Sequence, residues 1–299
     1  MDLCVTGLTC ILNAAAGSGH GLGLAVEITR LFATIGASAT VVTVVDGTGI
    51  ASESRRAIGR GHVVVADGGD GTVNAVASTL VGTGGVLGVL HLGTCNHFAK
   101  DLGLPLDLSG AVRTVLTGRV RTVDVGEVHG QIFLNNSSIG FYPHLVTGRV
   151  AEQKQGHRKW VALAVAAVSC LRHPLPLRVS LRLDDGAETL LRRTPLLFIG
   201  NNRYCLTGPH MGGRTRLDAG ELWMCVAHEA GCASLLGMTV RALAGHLRPG
   251  DLEMQSVADI WVGAQPRKVA VAWDGEVTQM PPPLHYRIRP AALRVMVPG

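Results

Sequence analysis

Residues 62–81 read HVVVADGGDGTVNAVASTLV. The run Val63–Ala66 is short, apolar and rich in β-branched residues, which suits a buried strand. From Thr72 onward, Val73, Val76, Ala77 and Leu80 recur at helical spacing. Between the two stand Gly68, Gly69 and Gly71, with Asp67 and Asp70 among them. A glycine-rich turn that ends a strand and opens a helix leaves backbone N–H groups unshielded beside the positive end of the helix dipole. That arrangement suits a phosphate-sized anion. An acid within it repels phosphate unless a divalent cation lies between, so Asp70 points to a magnesium–nucleotide complex. The competing reading is a tight strand-to-helix turn in which Asp70 caps the helix. Three glycines together with Thr72 and Asn74 favour the anion site.

Outward from this stretch, residues 1–120 alternate strand-like and helix-like segments. Leu8–Leu12 reads as strand, NAAAGSGHG (13–21) as turn and Leu22–Ile35 as helix. Ala39–Val45 is a second strand, Ser52–Arg60 a polar helix and Val86–Leu90 a further strand. LGTCN (92–96) then introduces a helix at His97–Leu102. Parallel strands with right-handed crossovers are the economical arrangement. After about Arg121 the texture changes. TVDVGEV, QIFLNNSSIGF, LRVSLRLDD, TPLLFIGNN, ELWMCVA and KVAVAWDGEV are short, often alternating, and separated by Gly, Asn, Asp or Pro. Antiparallel sandwiches read this way. Residues 1–122 thus form an α/β domain, joined by the apolar tail 288–299, and residues 123–287 form a β-rich domain. Helix-like insertions are expected near 157–172 and 231–247.

Composition narrows the function. The chain of 299 residues is 47% hydrophobic and 16% charged, enough apolar material for real cores. Its net charge of +5 is spread along the chain without a basic block, which argues against nucleic acid. An anionic phosphate or an acidic membrane face suits it better. Seven cysteines without a CxxC pair support neither a disulfide framework nor zinc, and a reducing cytosol is expected. Twelve histidines include no HExxH. The N-terminus has no basic region ahead of an apolar core, so no signal peptide is read. The apolar stretch WVALAVAAVSCL (160–171) is shorter than the roughly 20 residues a spanning helix needs.

The loop carries neither GxxxxGK[ST] nor GxGxxG. GGDGT (68–72) instead resembles the diacylglycerol kinase catalytic-domain family and its relatives, the sphingoid-base kinases, NAD kinases and phosphofructokinases. VLGVLHLGTCNHFAKDLGLP (86–105) is similar to the lipid-kinase segment P-L-G-T-x-N-D-F-A-R that ends in G-I-P. NAAAGSG (13–19), FLNNSSIGF (133–141), LFIGNNR (197–203) and DGE (274–276) match further family landmarks in order. The resemblance spans essentially the whole chain.

It implies an N-terminal α/β nucleotide-binding domain of NAD kinase/diacylglycerol kinase type and a C-terminal antiparallel β-sandwich-like domain. It implies ATP and Mg²⁺ as cofactors. Asn13, Gly17, Thr43, Gly68, Gly69, Asp70, Gly71, Thr72, Asn74, Thr94 and Asn96 would bind the nucleotide. Glu276 would be the general base, with Asp70 its rival. From the residues alone, DG at 274–275 reads first as a hairpin turn that leaves Glu276 solvated. The implied reaction phosphorylates a lipid hydroxyl, of diacylglycerol or a related acyl lipid. The protein would be cytoplasmic and peripheral at the inner membrane face, with a homodimer allowed and no nucleic-acid partner. Departures from the family pattern are Ala75 for Glu, Cys95 for Gly, His97 for Asp, Lys100 for Arg, and Ala219 for an Asp of the metal loop. Asp218 is the remaining candidate metal ligand there. These departures keep a non-catalytic lipid or nucleotide sensor open, beside a soluble-metabolite kinase of NAD-kinase type.

Overall fold

A computed structural model of the protein describes residues 7–14, 21–91, 93, 96–140, 143, 177–184, 186, 188–206, 211–228, 237, 241, 250–265 and 267–299. The insertion expected at 157–172 and nearly all of that expected at 231–247 lie outside the described residues. In chain order the first elements are β1 (Leu8–Asn13), α1 (Gly21–Thr34), β2 (Ala39–Val44), α2 (Gly47–Gly59) and β3 (Val63–Gly68). α3 (Asp70–Leu80), β4 (Val86–His91), α4 (His97–Asp101), α5 (Leu108–Thr117) and β5 (Arg119–Val128) come after them. Next are β6 (Gln131–Phe133), β7 (Asn136–Gly140), β8 (Leu177–Leu183), β9 (Thr189–Thr194), β10 (Leu196–Asn201) and β11 (Leu222–Ala227). The last are β12 (Leu252–Val257), β13 (Asp259–Ala264), β14 (Val269–Trp273), β15 (Glu276–Met280) and β16 (Leu284–Val297). The chain forms two compact units, Met1–Val125 with Pro290–Gly299, and Gly126–Arg289.

In the first unit β2, β1, β3 and β4 pair side by side, all parallel. The end of β16 extends them beyond β4, with Arg294 opposite Val86 and Val295 opposite Leu87. β3 and β4 are buried throughout, as strands covered on both faces are, which is why they read as unbroken apolar runs. One core packs Cys10, Val65 and Leu90 of the sheet against Ile28 and Phe32 of α1 and Val112 and Val115 of α5. Register decides where the outgoing turns lie. Leu12 is opposite Asp67 and Asp67 opposite Leu90, so β1, β3 and β4 end level and their turns meet.

Two helices differ from the sequence reading. α2 begins at Gly47, five residues before the polar run suggests, because Asp46 caps it through Gly49 N at 2.7 Å. Gly47 and Gly49 are weak helix formers and hide that start. α5 has no counterpart in the reading, although Asp107 caps it through Gly110 N at 2.7 Å and Ala111, Val112 and Val115 mark its buried side.

The second unit is a sandwich. Among the described residues one sheet runs β12–β11–β10–β7–β14–β15, antiparallel throughout. The start of β16 pairs with β13, β13 with β8 and β8 with β9, also antiparallel. Ile139, Ile199, Met224 and Val271 of the first sheet share a core with Leu181, Val262, Leu284 and Tyr286 of these strands.

The end of β16 is therefore a structural member of the first unit, and Leu293, 1% exposed, is the test of it. Leu293→Ala is expected to cost about 2–4 kcal/mol in denaturant unfolding. A loss below about 1 kcal/mol would mean that the strand adds little to the core.

Candidate active site

The turn after β3 is shaped by what it lacks. Gly69 is the N-cap of α3, with extended backbone and no side chain to accept a first-turn N–H. α2 and α5 use an aspartate there. The first N–H groups of α3 are thus unspent by a cap and carry the positive end of the helix dipole. Asp70 is the first residue of the helix and does not cap it, contrary to the simpler sequence reading. Its Oδ2 accepts from His97 N at 3.3 Å, across to the turn after β4.

Two close approaches fix the shape. A Cβ on Gly68 would lie 2.5 Å from Thr72 Oγ1, and Asn13 Nδ2 at the end of β1 donates to that same hydroxyl at 3.0 Å. A Cβ on Gly93 would lie 2.6 Å from Gly69 Cα and 2.7 Å from Asn96 Oδ1. The turns after β3 and β4 therefore meet backbone to backbone. Asn96 holds its own turn in left-handed conformation (φ 49°, ψ 46°) and donates from Nδ2 to Gly93 O at 2.7 Å. Its Oδ1 is buried and accepts no hydrogen bond.

Asn13, Gly68, Gly69, Asp70, Thr72 and Asn96 are thereby brought together, with Gly71 exposed on the first turn and Asn74 buried one turn deeper. Thr43 is exposed at the end of β2, opposite Leu12. Gly17 and Thr94 lie outside the described residues. An uncapped helix start and a cradle that a Cβ would fill fit the polyphosphate of ATP. For Mg²⁺ the fit is partial. No group of three or more His, Cys, Asp or Glu among the described residues could hold a metal ion, so Asp70 would share the cation with the phosphates.

Asp67 is a buried acid to which the sequence reading gives no role. It is 0% exposed, and neither carboxylate oxygen has a hydrogen-bond partner. Burial pushes its pKa up to about 7, and burial, helped by the Asp67 charge, raises the Cys10 thiol. The two aspartates of the opening stretch are thus unlike. One lies at the helix start and one is sealed beneath it.

In the second unit Asp274 (φ 44°) and Gly275 (φ 92°) form a two-residue hairpin turn that pairs Trp273 with Glu276. Glu276 is exposed. Asp274 is the anchored acid. Its carboxylate accepts from the N–H groups of Leu134 (2.6 Å), Asn135 (2.9 Å) and Asn136 (3.1 Å). Burial pushes Asp274 up to about 6, against those three bonds and nearby Arg214, which pull it down. Buried Arg214 donates to Leu134 O (2.6 Å), Asn201 O (2.9 Å) and Asn135 Oδ1 (2.9 Å). Asp218 lies 3.2 Å from the Arg216 guanidinium, and Ala219 N donates to Asn202 Oδ1 at 2.9 Å.

The diacylglycerol kinase catalytic domain matches residues 7–128, and the YegS C-terminal NAD kinase beta sandwich-like domain matches residues 144–297. A protein of Escherichia fergusonii named probable lipid kinase YegS is 28% identical over 253 residues, 79% of this chain and 78% of that one. A probable lipid kinase YegS-like of Klebsiella pneumoniae is 35% identical over 125 residues, 41% of this chain and 40% of the relative. The diacylglycerol kinase of Bacillus subtilis is 41% identical over 93 residues, 30% of each chain. The crystal structure of a diacylglycerol kinase from Bacillus anthracis shares the fold, with a TM-score of 0.71 at 17% identity over 99% of this chain and 98% of that one. Among the described residues no helix is long and apolar enough to cross a membrane.

Asp67 makes stability depend on pH. Its pKa is about 7 when folded against 3.8 otherwise, so between those values the folded state holds a proton that the unfolded state has released. Stability then falls as pH rises through that window. Asp67→Asn removes the ionisation and is expected to be more stable than the parent by on the order of 2–4 kcal/mol at pH 8, with the gap closing toward pH 4. Denaturant unfolding across that range checks it. A pH-independent gap would contradict the buried charge.

Proposed function

We propose lipid phosphorylation for this chain, which belongs to the diacylglycerol kinase-like family of lipid kinases, phosphotransferases with an alcohol acceptor. In this reading the γ-phosphoryl group of ATP passes to the hydroxyl of diacylglycerol or a related acyl lipid. The observation that supports it is the uncapped, glycine-lined start of α3 with Asp70 at its mouth. Phosphoryl transfer asks a protein mainly for positioning and for neutralisation of spreading charge.

Backbone N–H groups of Gly69, Asp70, Gly71 and Thr72 bind the phosphates, while Asn13 keeps the Thr72 hydroxyl oriented. Asn96 Oδ1, buried beside Gly93, takes a donor of the nucleotide. Thr43 and Asn74, with Gly17 and Thr94, complete the nucleotide contacts that the resemblance implies. Asp70 would hold the cation together with the phosphates. When bound, Mg²⁺ neutralises charge on the leaving diphosphate. Glu276 accepts the lipid hydroxyl proton as the new oxygen–phosphorus bond forms and the bond to the β–γ bridging oxygen breaks. Asp218 is engaged by Arg216 and is given no step. The protein works in the cytoplasm against the inner membrane face, where its acceptor lies.

Labelled ATP, Mg²⁺ and mixed lipid vesicles test this directly. The parent is expected to label lipid. Asp70→Asn is expected to lose more than about a hundredfold in turnover along with magnesium–nucleotide affinity. Glu276→Gln is expected to keep nucleotide affinity and lose about 10²–10⁴ in kcat. Labelling of a water-soluble acceptor alone would move the reading to a metabolite kinase. No labelled product with any divalent ion would overturn it.

A further inference from the structure

Residues 134–136, where β6 gives way to β7, are held from two sides by opposite charges. Asp274 accepts from all three of their N–H groups, and its own N–H donates to Asn136 O at 3.1 Å. Arg214 donates to Leu134 O at 2.6 Å and to Asn135 Oδ1 at 2.9 Å. Leu134 O and Asn135 N belong to one peptide group. The guanidinium therefore binds the oxygen end of that peptide while the carboxylate binds its hydrogen end.

A peptide gripped at both ends couples the two charges. Hydrogen bonds in a chain polarise one another, so the guanidinium at Leu134 O makes the Asn135 N–H a stronger donor to Asp274. The bonds from charged groups are also the strong ones. A proton on Asp274 would weaken an acceptor and add a donor where N–H groups already point. Both effects favour the ionised acid, against a burial that disfavours it. Arg214 is itself fixed. It is 5% exposed, its guanidinium lies 5.3 Å from the Tyr204 ring, and Asn201 O takes a further bond.

The hairpin tip depends on this grip. Trp273 lies opposite both Ser137 and Glu276, and beyond it the Asp274 carboxylate seats the turn on the start of β7. Glu276 follows two residues later, exposed. Arg214 is the charge that bears on Asp274. Of the other ionisable groups about the segment, Tyr204 OH accepts from Asn136 Nδ2 at 3.4 Å, and Tyr286 OH shares a hydrogen bond with Ser137 Oγ at 3.2 Å. Burial raises the Tyr286 phenol and keeps it neutral. Arg203 and Arg216 are exposed, Arg216 on Asp218.

We propose that Arg214 is a positioning residue for phosphoryl transfer: it keeps Asp274 ionised, and ionised Asp274 seats the turn that carries Glu276. This rests on the reading of Glu276 as the base that takes the lipid hydroxyl proton. Asp274 gives up its own proton at about 6 in the folded protein, so the seat is complete above that pH and lost below it. Its ordinary value is 3.8, so between 3.8 and about 6 the folded state holds a proton that the unfolded state has released. Stability therefore falls as pH rises through the window in which the seat forms. Activity and stability run in opposite directions there.

Amide NMR of residues 134–136 across about pH 5 to 8 reads the coupling without turnover, and kcat on short-chain diacylglycerol in detergent, with ATP and Mg²⁺, reads its use. In the parent the three amides are expected to titrate together at about 6, with kcat falling below that midpoint while nucleotide KM holds. Arg214→Gln is expected to raise both midpoints by about one unit or more. Arg214→Lys, which keeps the charge and loses the fork, is expected to raise them less. Asp274→Asn keeps the shape of the acid and is expected to abolish both titrations and lower kcat about tenfold or more. Glu276→Gln is expected to leave the amide titration as in the parent. Midpoints that do not move in either Arg214 variant, or a kcat limb that survives in Asp274→Asn, would overturn the positioning role. So would amides that titrate in the parent while kcat does not follow. Amides that titrate and move with Arg214, in a protein that phosphorylates no lipid, would reject the kinase reading and with it any part of Arg214 in transfer, while the Arg214–Asp274 coupling stands.

Discussion

The meeting of Gly69 and Gly93, backbone against backbone, is the constraint on which the candidate site depends. A single added carbon at Gly93 would come within 2.6 Å of Gly69 Cα, closer than real Cβ atoms come to anything. The turn after β4 can therefore carry no side chain at Gly93 toward the turn after β3. What remains between and above them is main chain, N–H groups of a helix start, and the short side chains that hold those turns in place. An anion the size of a phosphate is attracted to such a surface because the donors are fixed in advance and need no reordering when it arrives.

That constraint originates in the sheet beneath. Parallel pairing in which Leu12, Asp67 and Leu90 are aligned makes three strands end at one height, so the turns after β1, β3 and β4 have to share one edge. Ligand sites in open parallel sheets gather at such edges. The second unit solves a comparable problem with charge. Asp274 gathers three successive N–H groups of residues 134–136, and Arg214 gathers carbonyls from both neighbouring segments. A half-buried acid and a buried cation thus fasten the hairpin that carries Glu276 to the segment FLNN.

How much of this could be read beforehand differs element by element. β3, its glycine turn and α3 are local patterns, and the alternating segments after Arg121 announced an antiparallel sandwich. α5 escaped because a glycine inside it and a ten-residue length weaken the periodic signal, though Asp107 was there to mark its cap. Gly93 was quoted only as part of a motif, since its reason for being glycine lies on another turn, 24 residues away. Asp67 and Arg214 were illegible for the same cause. Whether an acid is sealed without partners, or an arginine satisfied by distant carbonyls, depends on long-range packing that periodicity does not report. The order of the motifs, by contrast, was informative as a set where each alone was not, and it carried the family.

The most direct measurement tracks the amide signals of Gly69, Gly71 and Thr72 by NMR while Mg²⁺ and a non-hydrolysable ATP analogue are added, in the parent and in Gly93→Ala. Those amides are expected to shift with the onset of binding, and the alanine variant to remain folded while binding at least about tenfold more weakly. Nucleotide that binds without moving them, or that binds the alanine variant as tightly as the parent, would contradict the phosphate cradle.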